Sequence, residues 1–278
     1  AEGQDAISLC ISAFECLIAW AGCIIGCEDA STGVWLGLNH LSSSGTLENI
    51  LAVIFAPSTP EALFSSGVEL ILELLGTPLP SWQWIRQASP LVQAECRMRA
   101  AAIQQVCLAT LQQNDRVMHF IQTSKWADVT HDFFSKGICE IIVALLSNHG
   151  ELVWVPPTEE QLAHPLSGWP LLTLALRLSA HPQRYVVAEG ALEMWYYPPR
   201  HLNQEQLGQV FKQLVSIYYN QLHIPEGVTD KMWIESLTLG YGEMEDDDLR
   251  LFWDYRREAA DALRGLVLEW PMGHEALD

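Results

Sequence analysis

The residues best suited to chemistry in this sequence are a run of acids and the arginines that follow it. They are Glu243, Glu245, Asp246, Asp247 and Asp248, followed by Arg250, Arg256 and Arg257. Carboxylates bind guanidinium groups in a bidentate fashion, so the acidic run could receive an Arg-rich segment of another protein, and the arginines could contact a partner. The same charges could instead form ion pairs along one helix, with the acids at its N-terminus, where the helix dipole favours them. Both interpretations stay open.

Two tryptophans, Trp82 and Trp84, lie in a stretch that reads as a linker between helices. Exposed tryptophans are frequent anchors of protein–protein interfaces. Packing of the linker onto neighbouring helices would account for the same residues. We therefore keep both tryptophans as candidate partner-binding residues.

Motifs that would indicate catalysis are missing from the sequence. It contains no nucleophile elbow, P-loop, dinucleotide-binding glycine fingerprint or His-Glu-x-x-His motif. None of its nine histidines lies four residues from another, and its seven cysteines form no Cys-x-x-Cys pair for zinc. We therefore predict that the chain is not an enzyme and uses no metal and no cofactor. An all-α enzyme or a lipid-binding protein is the remote alternative.

The net charge of −19 restricts the partners that the chain can bind. Phosphate backbones require a basic surface, so we predict no direct nucleic-acid binding and favour a basic protein partner. The acidity could also serve solubility alone. The longest apolar run, Cys16–Gly26, is shorter than the ~20 residues of a membrane-spanning helix, so we predict no membrane insertion. Scattered cysteines are typical of a reducing, intracellular compartment.

Apolar residues recur at intervals of three and four along most of the chain, which predicts amphipathic helices. No stretch shows the sustained alternation of a strand. The predicted helices cover residues 4–21, 46–55, 60–75, 90–113, 127–147, 169–181, 184–197, 203–222 and 249–270. The predicted loops cover residues 22–45, 77–89, 149–168 and 223–245. Thr46 and Thr59 have the side chains that N-caps prefer.

Prolines divide the helices into pairs that recur about every 40 residues, as in HEAT and armadillo arrays. In one pair, Pro182 ends a helix near His181 and the next helix can begin just after it. We therefore predict an all-α fold, a HEAT-type solenoid of about five antiparallel helix pairs, the first incomplete. It would form a single segment over residues 1–278, excised from a longer chain. A closed helical bundle is the alternative fold.

Three stretches carry a family resemblance. The first is Ile11–Trp20 (ISAFECLIAW), and the second is Leu176–Tyr196 (LRLSAHPQRYVVAEGALEMWY), a Leu-rich helix, a His-Pro turn and a helix closing on an aromatic pair. The third is Val210–Leu222 with Asp246–Leu263, where acids lead into D-x-L-R-x-F-x-x-Y-R-R-x-x-x-D-x-L. Together they resemble the importin-β/exportin (karyopherin-β) superfamily, in its transportin-SR and importin-thirteen-like branch.

The resemblance implies a nuclear transport receptor that shuttles between nucleus and cytoplasm. Such receptors capture protein cargo on a helical surface, and the GTPase Ran governs loading or release. An acidic surface would suit a basic or Arg/Ser-rich cargo. The N-terminal repeats on which Ran mainly docks have no counterpart here, so Ran binding is expected of the full-length receptor. The alternative is a generic HEAT-repeat scaffold or adaptor unrelated to transport.

Overall fold

The computed structural model describes residues 2–25, 45–76, 78–79, 82–123, 133–154, 168–182, 187–195, 202–223 and 247–270. These residues form α-helices and short turns, with no strand among them. The helices are α1 (Glu2–Ile25), α2 (Thr46–Ile54), α3 (Glu61–Leu75), α4 (Trp82–Gln87), α5 (Pro90–Leu111), α6 (Asn114–Thr123), α7 (Phe133–Trp154), α8 (Gly168–Ser179), α9 (Glu189–Leu192), α10 (Gln204–Gln221) and α11 (Asp247–Glu269), and a 3-10 turn (Glu193–Trp195) follows α9. The predicted all-α class is thus confirmed for the described part of the chain.

The chain divides into two compact units, each with buried apolar side chains of its own. Unit one comprises Ala1–Arg116 and Glu140–Leu172, and unit two comprises Val117–Cys139 and Thr173–Asp278. That residues 1–278 form a single solenoid segment stays a prediction. Helical periodicity reports which face of a helix is apolar, and not which helices that face meets.

In unit one, both α1 and α2 pack against α3, and α2 also packs against α5. The buried side chains recur at intervals of three and four, as expected for helices with one apolar face. On α2 they are Leu47, Ile50, Leu51 and Ile54, and on α3 they include Leu63, Phe64, Val68, Leu70, Ile71, Leu74 and Leu75. On α1, Phe14 is buried. The amphipathic helices predicted over residues 46–55 and 60–75 are thus confirmed.

The stretch predicted as a loop over residues 77–89 contains the short helix α4. Ile85 of α4 is buried in a cluster with Val92 and Cys96 of α5. The Gln93 side-chain amide donates to the carbonyl of Ala88 at 3.0 Å and fixes the turn between the two helices. A helix of six residues is too short to show periodicity or to be stable alone, so packing against α5 forms it rather than local preference.

Two other predicted loops begin later than expected. Helix α1 continues to Ile25, because the residues after Gly22 are apolar and one glycine lowers helix stability by only about 1 kcal/mol. Helix α7 continues to Trp154, past a kink at His149, whose backbone is non-helical (φ −129°, ψ 25°). Residues 26–44, 155–167 and 224–246 lie outside the described part of the chain.

The predicted caps of α2 and α3 are wrong in detail. The N-cap of α2 is Gly45, whose φ of 70° is left-handed and so favours glycine, and Thr46 is the first helical residue. The N-cap of α3 is Pro60. Thr59 instead donates its hydroxyl to the carbonyl of Val53 at 2.6 Å, because the turn brings it back to the end of α2.

The kink in α7 supplies two donors to the end of α3. The side-chain amide of Asn148 and Nε2 of His149 lie 3.1 Å and 3.0 Å from the Leu75 carbonyl, in the last turn of α3, where carbonyls lack helical partners. Because a carbonyl can only accept, the neutral His149 ring has its proton on Nε2. The pKa of His149 is lowered to about 4, mainly by burial. The hydrogen bond to Leu75 acts in the raising direction, and the positive charge of Arg99 lowers the pKa further.

In unit two, α9 and α10 both pack against α11. Asn203 caps α10 in a capping box with Gln206, with reciprocal bonds of 2.9 Å and 3.1 Å. The buried side chains again follow helical spacing. They include Leu174, Ala175 and Leu178 of α8, Leu207, Val210, Phe211, Leu214 and Tyr218 of α10, and Tyr255, Ala259, Ala262 and Leu266 of α11.

Two buried tryptophans connect these helices through their indole N–H groups. Trp195 donates to the hydroxyl of Ser179 at 2.9 Å, and that hydroxyl donates to the Ala175 carbonyl at 3.0 Å. Trp270, directly after α11, donates to the Trp195 carbonyl at 3.2 Å. The turn at Pro182 is held in the same way, because Gln221 of α10 donates to the carbonyl of buried His181 at 3.1 Å. His181 thus serves the architecture of the turn, as its place before proline indicates.

Helices α2 and α3 approach closely at Gly67, where a Cβ would overlap Cγ1 of Ile54. We expect Gly67→Ala to destabilise the protein by about 1 kcal/mol, because overpacking costs about 1–3 kcal/mol and the gain in helix preference is about 1 kcal/mol. The double variant with Ile54→Ala should lose less stability in urea unfolding than the two single losses combined. At Gly190 a Cβ would meet only Cys139 Sγ at 3.7 Å, so Gly190→Ala is the tolerated control. A Gly67→Ala protein as stable as the wild type would contradict the close approach.

The lowered pKa of His149 predicts a pH dependence of stability. Its pKa is about 4 in the fold against an ordinary 6.5, so the unfolded chain binds more protons between these values. The free energy of unfolding therefore rises as pH rises from about 4 to about 6.5, by on the order of 3 kcal/mol from this residue. His149→Gln should remove that increment from urea unfolding curves measured across this range. The exposed His223→Gln is the control, and an unchanged pH profile in His149→Gln would disprove the assignment.

Candidate functional site

Most of the predicted acidic run lies outside the described residues. Glu243, Glu245 and Asp246 are not described, and Asp247, Asp248 and Arg250 are described only as backbone at the start of α11. Helix α11 does begin with acids, as predicted. Whether the run meets a partner stays a prediction.

The two candidate tryptophans both belong to α4. Trp82 is its first residue, and its side chain is outside the described part. Trp84 is 50% exposed, whereas its neighbour Ile85 is buried against α5. The helix therefore packs through Ile85 and presents Trp84 at the surface, which is compatible with a recognition role for Trp84.

The arginines of α11 interact with their own helix. Arg257 pairs with Asp254 at 3.0 Å and approaches Glu258 at 3.8 Å, and Arg264 lies 3.7 Å from Asp261. The Arg257–Asp254 and Arg264–Asp261 pairs have the three-residue spacing of ion pairs along one helix. They are exposed, so each contributes little to stability. The guanidinium of Arg256 lies over the Trp253 ring, 5.3 Å from the centroid, in a cation–π contact.

A carboxylate that the sequence reasoning did not select joins this group. Glu189 of α9 interacts electrostatically with Glu258 and Asp254 of α11, because α9 packs on α11. Burial raises the pKa of Glu189, and the charges of Glu258 and Asp254 raise it further. We call Glu189, Asp254 and Glu258 the acidic patch. In the sequence, Glu189 is visible only as a polar interruption of an apolar helix, and its neighbours on α11 are remote along the chain.

The acidic patch is suited to binding a cation. Asp254 and Glu258 share the guanidinium of Arg257, and the side chain of Arg257 is 64% exposed. An exposed arginine can leave an ion pair at little cost, because such a pair contributes about 0–1 kcal/mol. A guanidinium or ammonium group of a partner could then take its place and relieve the repulsion that raises the pKa of Glu189.

A second charged group, Arg99 of α5, is buried too deeply to serve as a docking residue. It is 3% exposed, and burial lowers its pKa to about 10, so it stays protonated at neutral pH. Its charge acts on His149 within the core of unit one. Arg99 therefore belongs to the structure of that unit.

Metal and membrane sites have no support in the described residues. No group of three or more His, Cys, Asp or Glu side chains there could hold a metal ion. None of the described helices is long and apolar enough to cross a membrane. No family model and no curated protein matches this sequence.

The raised pKa of Glu189 predicts that its charge destabilises the fold. Because the folded protein binds this proton more tightly than the unfolded chain does, the free energy of unfolding falls as pH rises from the ordinary pKa of 4.5 to the raised pKa. We therefore expect Glu189→Gln to raise the Tm at pH 7 by on the order of 1 °C, with no gain below pH 4.5. Glu193→Gln is the control, because Glu193 is exposed on the adjacent 3-10 turn. Equal gains in both variants, measured by thermal unfolding, would argue against repulsion within the patch.

Proposed function

We propose that this chain is a segment of a HEAT-type helical-repeat protein that binds protein partners, and more specifically of a karyopherin-β-like nuclear transport receptor. The partner would be a cargo with a basic or Arg/Ser-rich segment. Ran would act through the full-length receptor, which would shuttle between nucleus and cytoplasm. No catalytic chemistry is assigned to the chain.

One observation carries this proposal. Helix α9 lies in the second stretch that resembles the family, most of α11 lies in the third, and the two helices pack against each other. Their packing brings Glu189 together with Asp254 and Glu258 and so creates the acidic patch. The motifs that suggest a transport receptor thus build the surface that could bind a basic cargo.

The core of the second stretch supports the repeat architecture. Its leucines, its His181-Pro182 turn and Trp195 are used for packing: Leu176, Leu178, His181 and Trp195 are all buried. Motif residues that serve the core are what a repeat requires, because each helix pair buries its apolar face against neighbours. The partner-binding residues are then the charged ones that remain at the surface.

The alternative is a HEAT-type scaffold that binds partners without Ran. The pairing of Arg257 with Asp254 and Glu258 favours it, because carboxylates satisfied within their own helix need no cargo. Both candidates are protein-binding proteins, and they differ in whether Ran changes the affinity for the partner.

The two candidates can be separated with the complete protein. We expect an Arg/Ser-rich peptide to bind with an affinity that changes at least about tenfold when Ran-GTP is added, which corresponds to about 1.4 kcal/mol of coupling. Fluorescence anisotropy with and without Ran-GTP measures this. An affinity that Ran-GTP leaves unchanged would favour the scaffold.

The role of the patch is tested in the same assay. The charge reversal Asp254→Lys/Glu258→Lys should weaken peptide binding about tenfold or more at 0.15 M salt, where the Debye length is about 8 Å. Asp261→Asn on the same helix is the matched control, since Asp261 pairs only with Arg264 among the ion pairs observed. Charge reversal at the run Glu243–Asp248, measured in the same assay, distinguishes the contribution of that run to peptide binding from the contribution of the patch. If the patch variant binds like the control, the patch is not the cargo site.

A further inference from the structure

Two neighbouring arginines of α11 each lie against a group that binds cations. The guanidinium of Arg256 lies over the Trp253 ring, 5.3 Å from its centroid. The guanidinium of Arg257 donates to Asp254 at 3.0 Å and lies 3.8 Å from Glu258. Aromatic faces and carboxylates are the two kinds of group with which proteins bind guanidinium. The chain's own arginines therefore show where this part of α11 holds a cation, and with what chemistry.

Both of these contacts within α11 are weak. The side chain of Arg257 is 64% exposed, and its Nη2 atom makes both of its contacts, so the guanidinium does not form the bidentate pair of which arginine is capable. Arg256 and Trp253 are three residues apart on one helix, and both are half-buried. Ion pairs and cation–π contacts at such positions contribute little to stability. A guanidinium of a partner can approach from solvent in a better orientation, and so it can compete for the same ring and the same carboxylates.

The combination of a ring and carboxylates favours arginine over lysine. A guanidinium is planar and less strongly hydrated than an ammonium group, so it stacks on an indole and can bind a carboxylate through two N–H groups at once. A lysine ammonium can pair with the carboxylates but gains less from the ring. The net charge of −19 attracts a cationic segment from solution. The surface therefore suits a partner segment in which two arginines lie close together in sequence, as Arg256 and Arg257 do here.

We propose that Arg256 and Arg257 occupy, in the free protein, the positions that two arginines of a partner take on binding, and that Trp253 determines the preference for arginine over lysine. One guanidinium of the partner stacks on Trp253, and the other pairs with Asp254 and Glu258. The chain's own arginines compete with the partner and lower its affinity, which makes them an autoinhibitory contact. This inference rests on the proposed function of the acidic patch, to which it adds the class of side chain that is recognised and an internal competitor.

The test compares two peptides on the complete protein by fluorescence anisotropy at about 0.15 M salt. One is an Arg/Ser-rich peptide, and the other is the same peptide with every arginine replaced by lysine. The wild type should bind the arginine peptide at least about tenfold more tightly than the lysine peptide. Arg256→Gln and Arg257→Gln should each bind the arginine peptide about three- to fivefold more tightly than the wild type, because a competing guanidinium is removed. Trp253→Leu should reduce the preference for arginine to about threefold or less, a change in ratio that partial misfolding would not produce.

Arg264→Gln is the matched control, because it removes one positive charge from the same helix and leaves the carboxylate of Asp261 without that ion pair. Arg264 lies about two turns beyond Arg257, and charges about 10 Å apart are screened at this salt concentration, so the affinity should stay within about twofold. An equal gain in the control would mean that net charge alone is responsible, and a loss of affinity in either arginine variant would mean that the arginine itself contacts the partner. Either result, or equal affinity of the wild type for both peptides, would overturn the inference. If peptide binding depends on the acidic patch but none of these changes occurs, the inference fails while the role of the patch stands; if neither peptide binds, both fail.

Discussion

Unit two depends on the burial of two tryptophans, Trp195 and Trp270, whose indole N–H groups both have an acceptor. Burying an indole N–H without an acceptor costs roughly 1–3 kcal/mol, so each ring can enter the core only where an acceptor is waiting. Trp195 meets the Ser179 hydroxyl and Trp270 meets the Trp195 carbonyl. These two bonds join the end of α8, the 3-10 turn after α9 and the end of α11, elements that are far apart in sequence. Phe211 of α10 completes the contact, with its ring centroid 6.2 Å from that of Trp270.

The acidic patch exists because of this arrangement. Helix α9 has only four residues, and an isolated helix of that length is not stable in water. It is held where Trp195 enters the core, and beside it Cys139 Sγ lies 3.7 Å from the carbonyl of Val187. Glu189 is thereby kept next to Asp254 and Glu258 although their charges repel. The burial of the two tryptophans offsets that repulsion. The position of the three carboxylates at the surface is therefore maintained by core residues other than the carboxylates themselves.

The sequence was sufficient for the parts of the fold in which one helix face is apolar and the other polar. The helices α2, α3 and α10 were predicted from their apolar period, because burial selects the 3.6-residue repeat directly. Helix α4 was missed because its stability comes from Ile85 packing on α5. The prediction of Thr59 as the N-cap of α3 was wrong because its hydroxyl donates to the Val53 carbonyl of the preceding helix. Glu189 was not predicted as a site residue, because it becomes a candidate only through its closeness to two carboxylates about 65 residues away. A single sequence does not show which distant residues come close together in the fold.

Helices α5 and α10 differ in how closely their sequence pattern matches their burial. Both helices are long and buried along one side. The exposed residues of α10 are mostly polar, among them Glu205, Lys212 and Gln213, so water satisfies that face. The exposed residues of α5 include Leu91, Met98 and Leu108 beside Arg97, whereas Arg99 and Gln104 are buried. The helical period of α5 is therefore weak, because its buried and its exposed residues both include apolar and polar side chains. Only the structure shows which of these side chains the core covers.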